Sequence, residues 1–207
     1  MKLKEQSEYR TIVAYLYDPI PLEKVGLDQL KKIFPNIQAE TSSQFIFGES
    51  SEQNLRLQML TARLDLIYEG ETGFSQQGEA VLTTLLDAAP PINLRGLGVT
   101  IFRRVLIEHN EKDAGIYTSK YFLSNFAERE KALAANIIAG MHRITYGEAA
   151  SYFDFRISPQ GIGSEKVQLQ LRKHKDVDLR DRDKIIKETL DGEIAARTEF
   201  DRLVSVI

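Results

Sequence analysis

The sequence predicts an α+β fold in which a curved, mainly antiparallel sheet carries its helices on one face. Three observations predict it. Segments 44–48, 55–60 and 63–68 alternate apolar with polar residues, the period of a strand with one wet face. The same alternation returns at 143–146, 152–157 and 167–171. Stretches with apolar residues at helical spacing lie between and after these runs, and they have to cover the dry side of the sheet. A sheet of six to eight such strands curves because strands twist.

In chain order, Thr11 to Tyr17 is rich in β-branched and aromatic residues and reads as the first strand, stopped by Asp18-Pro19-Ile20-Pro21. Leu22, Val25, Leu27, Leu30, Ile33 and Phe34 then form a helical stripe, so a helix is expected over about 22–34, closed by Pro35-Asn36. The three alternating strands follow, with turns at Glu49-Ser50-Ser51-Glu52 and Thr61-Ala62. A helix over 75–88 points Val81, Leu82, Leu85 and Leu86 inward and ends before Pro90-Pro91.

The order then restarts. Leu97 to Ile107 is a long strand candidate, and 120–139 is expected as a helix with Phe122, Phe126, Leu133, Ile137 and Ile138 on its buried side. After the second set of alternating strands, a final helix covers about 182–206, with Gly192 expected as a bend or break. Each half therefore reads strand–helix–three strands–helix, with halves 1–92 and 93–207 packed as one compact unit. Only the ordering repeats, and any α+β chain can be parsed into similar halves, so internal duplication competes with chance.

Composition narrows the function classes. With 207 residues, 43% hydrophobic and 28% charged, the chain can bury a core without staples. It has no cysteine, which removes disulfides, thiolate catalysis and cysteine-ligated metal, and fits a reducing compartment. The start, Met1-Lys2-Leu3-Lys4-Glu5-Gln6, is polar and lacks an apolar signal region, and no run is long enough to span a membrane, so the cytoplasm is the expected address. A net charge of −3 and a pI near 5.7 argue against a dedicated nucleic-acid binder while leaving room for a local basic face.

No catalytic, metal or cofactor signature emerges. His109, His142 and His174 are too far apart for a local chelate, and there is no G-x-S-x-G nucleophile turn. Gly161-Ile162-Gly163-Ser164-Glu165-Lys166 precedes a strand rather than a helix, so it reads as a hairpin and not a phosphate loop. The four aspartates of 176–183 lack the glycine and glutamate of a calcium loop, and Asp178 or Asp181 suits the cap of the last helix. Gly96-Leu97-Gly98 points to a bulge, a close backbone approach, or room for a ligand. The tyrosines Tyr15, Tyr17, Tyr68, Tyr117, Tyr121 and Tyr146 fit either an interface or half-buried sheet positions.

Two basic clusters remain, Arg103-Arg104 and Arg172-Lys173-His174-Lys175. In strands only one of each adjacent pair faces water, and Arg103 with Arg172 or His174 is expected to line one exposed patch. The candidate ligand-binding residues are thus Arg103, Arg172, Lys173 and His174. Solvated edge-strand charges that discourage aggregation are the competing account.

The run from Leu82 to Ile107, a Leu-rich helix, Pro-Pro, then Arg95-Gly96-Leu97-Gly98-Val99-Thr100-Ile101-Phe102, resembles a sporadically distributed, uncharacterised bacterial protein family of α+β outline. That family carries an Arg and an Asn shortly after the strand glycine. Here Thr100 stands where the Arg would fall and no Asn follows. The resemblance covers most of the chain in outline, and implies a fold and a bacterial source but no activity.

The expected function is a non-enzymatic protein-binding or assembly module, working through a partner protein or as a homo-oligomer, with no cofactor. The alternatives are nucleic-acid or phosphate-ligand binding through a basic sheet face formed by Arg103, Arg172 and His174, and a hydrolase whose site is assembled from distant residues.

Overall fold

The computed structural model describes residues 2–40, 44–108, 113–122, 126–133, 140–161 and 163–206. Among these residues nine strands form one curved sheet: β1 (Lys2–Tyr17), β2 (Asn36–Glu40), β3 (Phe45–Ser50), β4 (Leu55–Leu60), β5 (Arg63–Glu69), β6 (Leu94–Glu108), β7 (His142–Glu148), β8 (Ser151–Pro159) and β9 (Lys166–Leu179). The helices described are α1 (Leu27–Leu30), α2 (Ser75–Ala88), α3 (Ala114–Phe122), α4 (Phe126–Leu133) and α5 (Arg182–Val206), with a 3-10 turn at Leu22–Lys24. Strand order is β2-β3-β4-β5-β1-β6-β9-β8-β7, and every neighbouring pair is antiparallel. Strands from the first part of the chain lie on one side of the β1–β6 pair and those from the second part on the other.

The alternation seen in the sequence is the alternation of burial. Ile46, Leu57, Leu66, Val13, Val99, Leu171 and Phe155 lie on one face of their strands and are buried. The helices cover that face: α5 packs on β6 and β9, α2 against α5, α1 against α2, and α3 over β8. Tyr15 shows how the layers lock. Its hydroxyl meets Thr189 Oγ1 of α5 at 2.7 Å, and the threonine hydroxyl in turn bonds the Ile185 carbonyl. Burial pushes the Tyr15 phenol far above its usual range, so the hydroxyl stays neutral.

Several local expectations change. The helix expected over 22–34 is instead the 3-10 turn and the single turn α1, because Gly26 breaks the ladder. Its N–H donates to the Ala88 carbonyl at the end of α2, 2.8 Å away, and so serves the tertiary contact. The stripe still faces inward, with Val25, Leu30, Ile33 and Phe34 buried. Residues 36–40, which lack a strong strand pattern, pair with β3, so four strands rather than three follow the first helical segment.

The helix expected over 120–139 divides differently. α3 starts earlier, where Asp113 Oδ1 accepts the N–H groups of Gly115 and Ile116 at 2.6 and 3.3 Å. Leu133, expected in the core, ends α4 at 66% exposure. Ile137 and Ile138, like His109, lie outside the described residues, as do the side chains of Phe122 and Phe126.

β9 runs through Asp176 and Asp178, and Asp181 caps α5 by accepting the Lys184 N–H at 2.9 Å. α5 does not break at Gly192. The glycine sits over β6, where an added Cβ would lie 3.5 Å from Val99 Cγ2 and 3.8 Å from Leu97 Cδ2, ordinary contact distances. Gly192→Ala should therefore stabilise the protein by about 0.5–1 kcal/mol, the helix-propensity gain. Urea denaturation checks this, and a loss of stability would mean that α5 has no room to accept a methyl.

Candidate binding face

Among the described residues, no helix packs on the second face of the sheet. The paired registers order its side chains into rows that cross the strands. One row runs Arg56, Ile67, Ile12, Thr100, Arg172, Asp154 and Thr145. Beside it lies Gln58, Asp65, Ala14, Gly98, His174 and Tyr152, and beyond that Arg63, Leu16, Gly96 and Asp176. On the other flank stand Glu69, Arg10, Phe102, Gln170, Arg156 and Arg143. In the middle of the two central strands the side chains are thus small or apolar, Ile12, Ala14 and Leu16 on β1 and Gly96, Gly98 and Thr100 on β6, and the charges surround them.

Those charges are matched. Arg10 pairs with Glu69 at 2.7 Å, and Arg56 with Glu49 at 3.3 Å and Glu69 at 3.5 Å. Arg63 grips Asp65 through two bonds of 2.9 and 3.0 Å, and Arg104 pairs with Glu8. Asp154 is only 2% exposed and takes both Arg143 and Arg156 at 2.8 Å. Burial alone would raise its carboxyl, but the hydrogen bonds and charges of the two guanidinia outweigh that and hold it below the usual carboxylate range. Arg172 is the exception. Its cross-strand neighbour Asp154 is already taken, and Arg172 makes no hydrogen bond or ion pair among the described residues.

Arg172 stands at the rim of a hollow of about 270 Å³. Its floor is Ala14, Gly96 and Gly98; its walls include Leu16, Ile12, Ile67, Gln58, Gln170, His174 and the Arg63–Asp65 pair. The hollow exists because the two glycines present no side chain to this face. An added Cβ at Gly98 would come no nearer than 3.7 Å to Ala14 Cβ, and one at Gly96 would lie 3.5 Å from Leu16. The ladder also slips between Leu94 and Gly96, the irregularity that the Gly-Leu-Gly run suggested. Tyr152 and His174 form an aromatic pair at 4.9 Å on the far rim, and His174 Nε2 meets Asp176 Oδ1 at 2.8 Å. A larger cavity of about 720 Å³ opens where β1 bulges at Glu8, but its arginines, Arg10, Arg56 and Arg104, are all ion-paired.

The four candidate residues are not brought together. Arg172 and His174 share the bare face, whereas Arg103 and Lys173 point beneath the helices. Arg103 pairs with Leu169 in register and is 3% exposed. Its guanidinium lies 4.6 Å from the Tyr9 ring and 5.8 Å from that of Phe200, and donates to the Phe102 carbonyl at 2.8 Å. Burial, then the nearby Arg197 charge, pushes it down to about 10. The expected single patch of Arg103 with Arg172 or His174 is therefore corrected: strand parity turns Arg104, not Arg103, toward the bare face. Lys173 lies 5.9 Å from the Phe153 ring, and burial followed by the charge of Lys175 lowers its ammonium. Tyr15, Tyr17 and Tyr68 are buried in the core rather than displayed at an interface.

Ala14, Gln170, Tyr152 and Asp154 complete the face and were not singled out by sequence reasoning. Gly96 and Gly98 were the signal for the floor of the hollow, and the basic run with Arg172 and His174 the signal for its rim.

No protein-family model and no curated protein matches the chain. Among solved structures, Methanococcus jannaschii TBP is similar at a TM-score of 0.37 and 11% identity, over 92% of this chain and 99% of that one. Its own architecture defines the chain as an α+β protein whose sheet, among the described residues, has one face covered by helices and one bare. Among the described residues no helix is long and apolar enough to cross a membrane.

Proposed function

We propose that the protein is a non-catalytic binding module and that its working surface is the bare sheet face, which docks a partner protein. The observation that carries this reading is the charge matching of that face. Among the described residues seven arginines, Arg10, Arg56, Arg63, Arg104, Arg143, Arg156 and Arg172, face six carboxylates, Glu8, Glu49, Asp65, Glu69, Asp154 and Asp176. A surface built for nucleic acid leaves cations free for phosphates, and carboxylates set among them repel the backbone. A face with an apolar centre and a ring of satisfied ion pairs suits a protein surface instead.

The test places a photo-crosslinking amino acid at Gln170 on the bare face or at Lys187, an exposed position on α5. In cells of the source organism, Gln170 should yield discrete protein adducts that Lys187 does not. Nuclease-sensitive adducts, or retention on immobilised DNA that is lost between about 50 and 200 mM salt, would transfer the face to nucleic acid and overturn the protein reading.

A further inference from the structure

We infer that the hollow at the centre of the bare face receives an extended segment of the partner in which a carboxylate side chain neighbours an aliphatic one. This rests on the bare face being the docking surface and names the chemistry it selects. Two independent features meet there. The glycines leave an apolar recess floored by Ala14, large enough for a branched aliphatic side chain. At its rim Arg172 holds a guanidinium without an acceptor among the described residues, while the neighbouring polar side chains are spent: Arg143 and Arg156 on Asp154, Arg63 on Asp65, and the His174 ring on Asp176.

The charge balance selects the anion. Across β7, β8 and β9, Arg143, Arg156 and Arg172 face the two carboxylates Asp154 and Asp176, so an excess of positive charge remains, centred among the described residues on the unengaged Arg172 guanidinium. One free guanidinium matches a carboxylate through a two-bond fork. A phosphate dianion calls for more than one free cation, and the others here are occupied. Gln58 and Gln170, on opposite walls, supply neutral donors and acceptors for the backbone of an extended chain.

Two variants separate the recess from the charge. Gly98→Val fills the recess yet fits the strand, because its Cβ meets Ala14 Cβ at 3.7 Å and valine suits a strand better than glycine. Arg172→Gln removes the charge and leaves the recess. The probe is a blocked peptide of alternating leucine and glutamate, followed by the amide NMR signals of Gly96 and Gly98 and by titration calorimetry, with glutamine and lysine versions as controls. The glutamate peptide should shift both glycine signals. Arg172→Gln should weaken it about ten- to a hundredfold, the worth of a hydrogen-bonded charge. Gly98→Val should abolish the response with thermal stability equal to or above the parent.

Equal binding of the lysine peptide, indifference to Arg172→Gln, or stronger binding of a phosphoserine peptide would each overturn the inference. A protein adduct from Gln170 with no response to any peptide sinks the inference and keeps the docking face. A peptide response without an adduct sinks the proposed function.

Discussion

Replacing Arg197 by methionine should cost the protein about 3–5 kcal/mol, the penalty for leaving a buried charge without its partner. Arg197 lies on α5 and joins it to the segment ahead of α2. Its Nε donates to Glu193 Oε1 at 3.2 Å, and its other nitrogens donate to the carbonyls of Glu71 and Thr72 at 3.2 and 3.0 Å. Glu193 has no exposed surface, and its Oε1 also accepts the Phe74 N–H at 3.3 Å. Losing Arg197 strands this carboxylate under the helix layer. For a chain of this length the midpoint of thermal unfolding should fall by roughly 6–20 °C. The double variant Glu193→Met with Arg197→Met should recover part of the loss, because an apolar pair leaves no orphan charge. A single-variant loss below about 1 kcal/mol, the range of an exposed pair, would mean that water reaches Glu193 and that the pair behaves as a surface bridge.

The second large effect belongs to the bare face. Made in an Arg172→Gln parent, so that the cross-strand guanidinium cannot take over, Arg143→Gln with Arg156→Gln leaves Asp154, 2% exposed, with no guanidinium beside it. A loss of about 3–5 kcal/mol at neutral pH is expected, again from a buried carboxylate deprived of its cations. The pH dependence identifies the cause. In the parent, Asp154 is held below the usual carboxylate range, so its stabilising contribution is complete above the unfolded value near 4 and is lost as pH falls through the lower folded value. In the variant, burial without a partner raises the carboxyl, so the penalty is present at neutral pH and disappears as Asp154 takes a proton. The stability gap between parent and variant should therefore be widest near pH 7 and close below about pH 4. Urea denaturation across this range checks it; a gap that stays constant with pH would assign the loss to packing rather than to Asp154.

The β-strands were legible because their signal is local. In β4, Leu55, Leu57 and Met59 alternate with Arg56 and Gln58, and the period of two holds whatever strand lies beside them. α2 was equally legible, since its inward stripe and the prolines after it act within a few residues. The helix expected over 22–34 failed because Gly26 bonds to Ala88, a residue far along the chain that local pattern does not contain. β2 was missed for a related reason: Asn36 to Glu40 become a strand by pairing with β3, not by intrinsic preference.

The candidate site divided in the same way. Two adjacent arginines in a strand announce that one is wet and one is dry, but not which. Register with β1 and β9 turned Arg103 under α5 and left Arg104 outside. Arg172 and His174 were found because both residues of a same-face pair lie in one basic run, whereas Tyr152 and Asp154 come to them only across the β8–β9 ladder.

By itself, then, the amino-acid order determined the class of fold, the positions of most strands, the long helices at 75–88 and 182–206, and the absence of thiol chemistry. Tertiary structure decided which strands are neighbours, which side of each meets the helices, and that two glycines, an alanine and Arg172 share one hollow. The physical reason is range: periodicity and turn chemistry act between residues a few positions apart, while parity, register and the pairing of charges depend on backbone bonds and packing between segments that the chain keeps far apart.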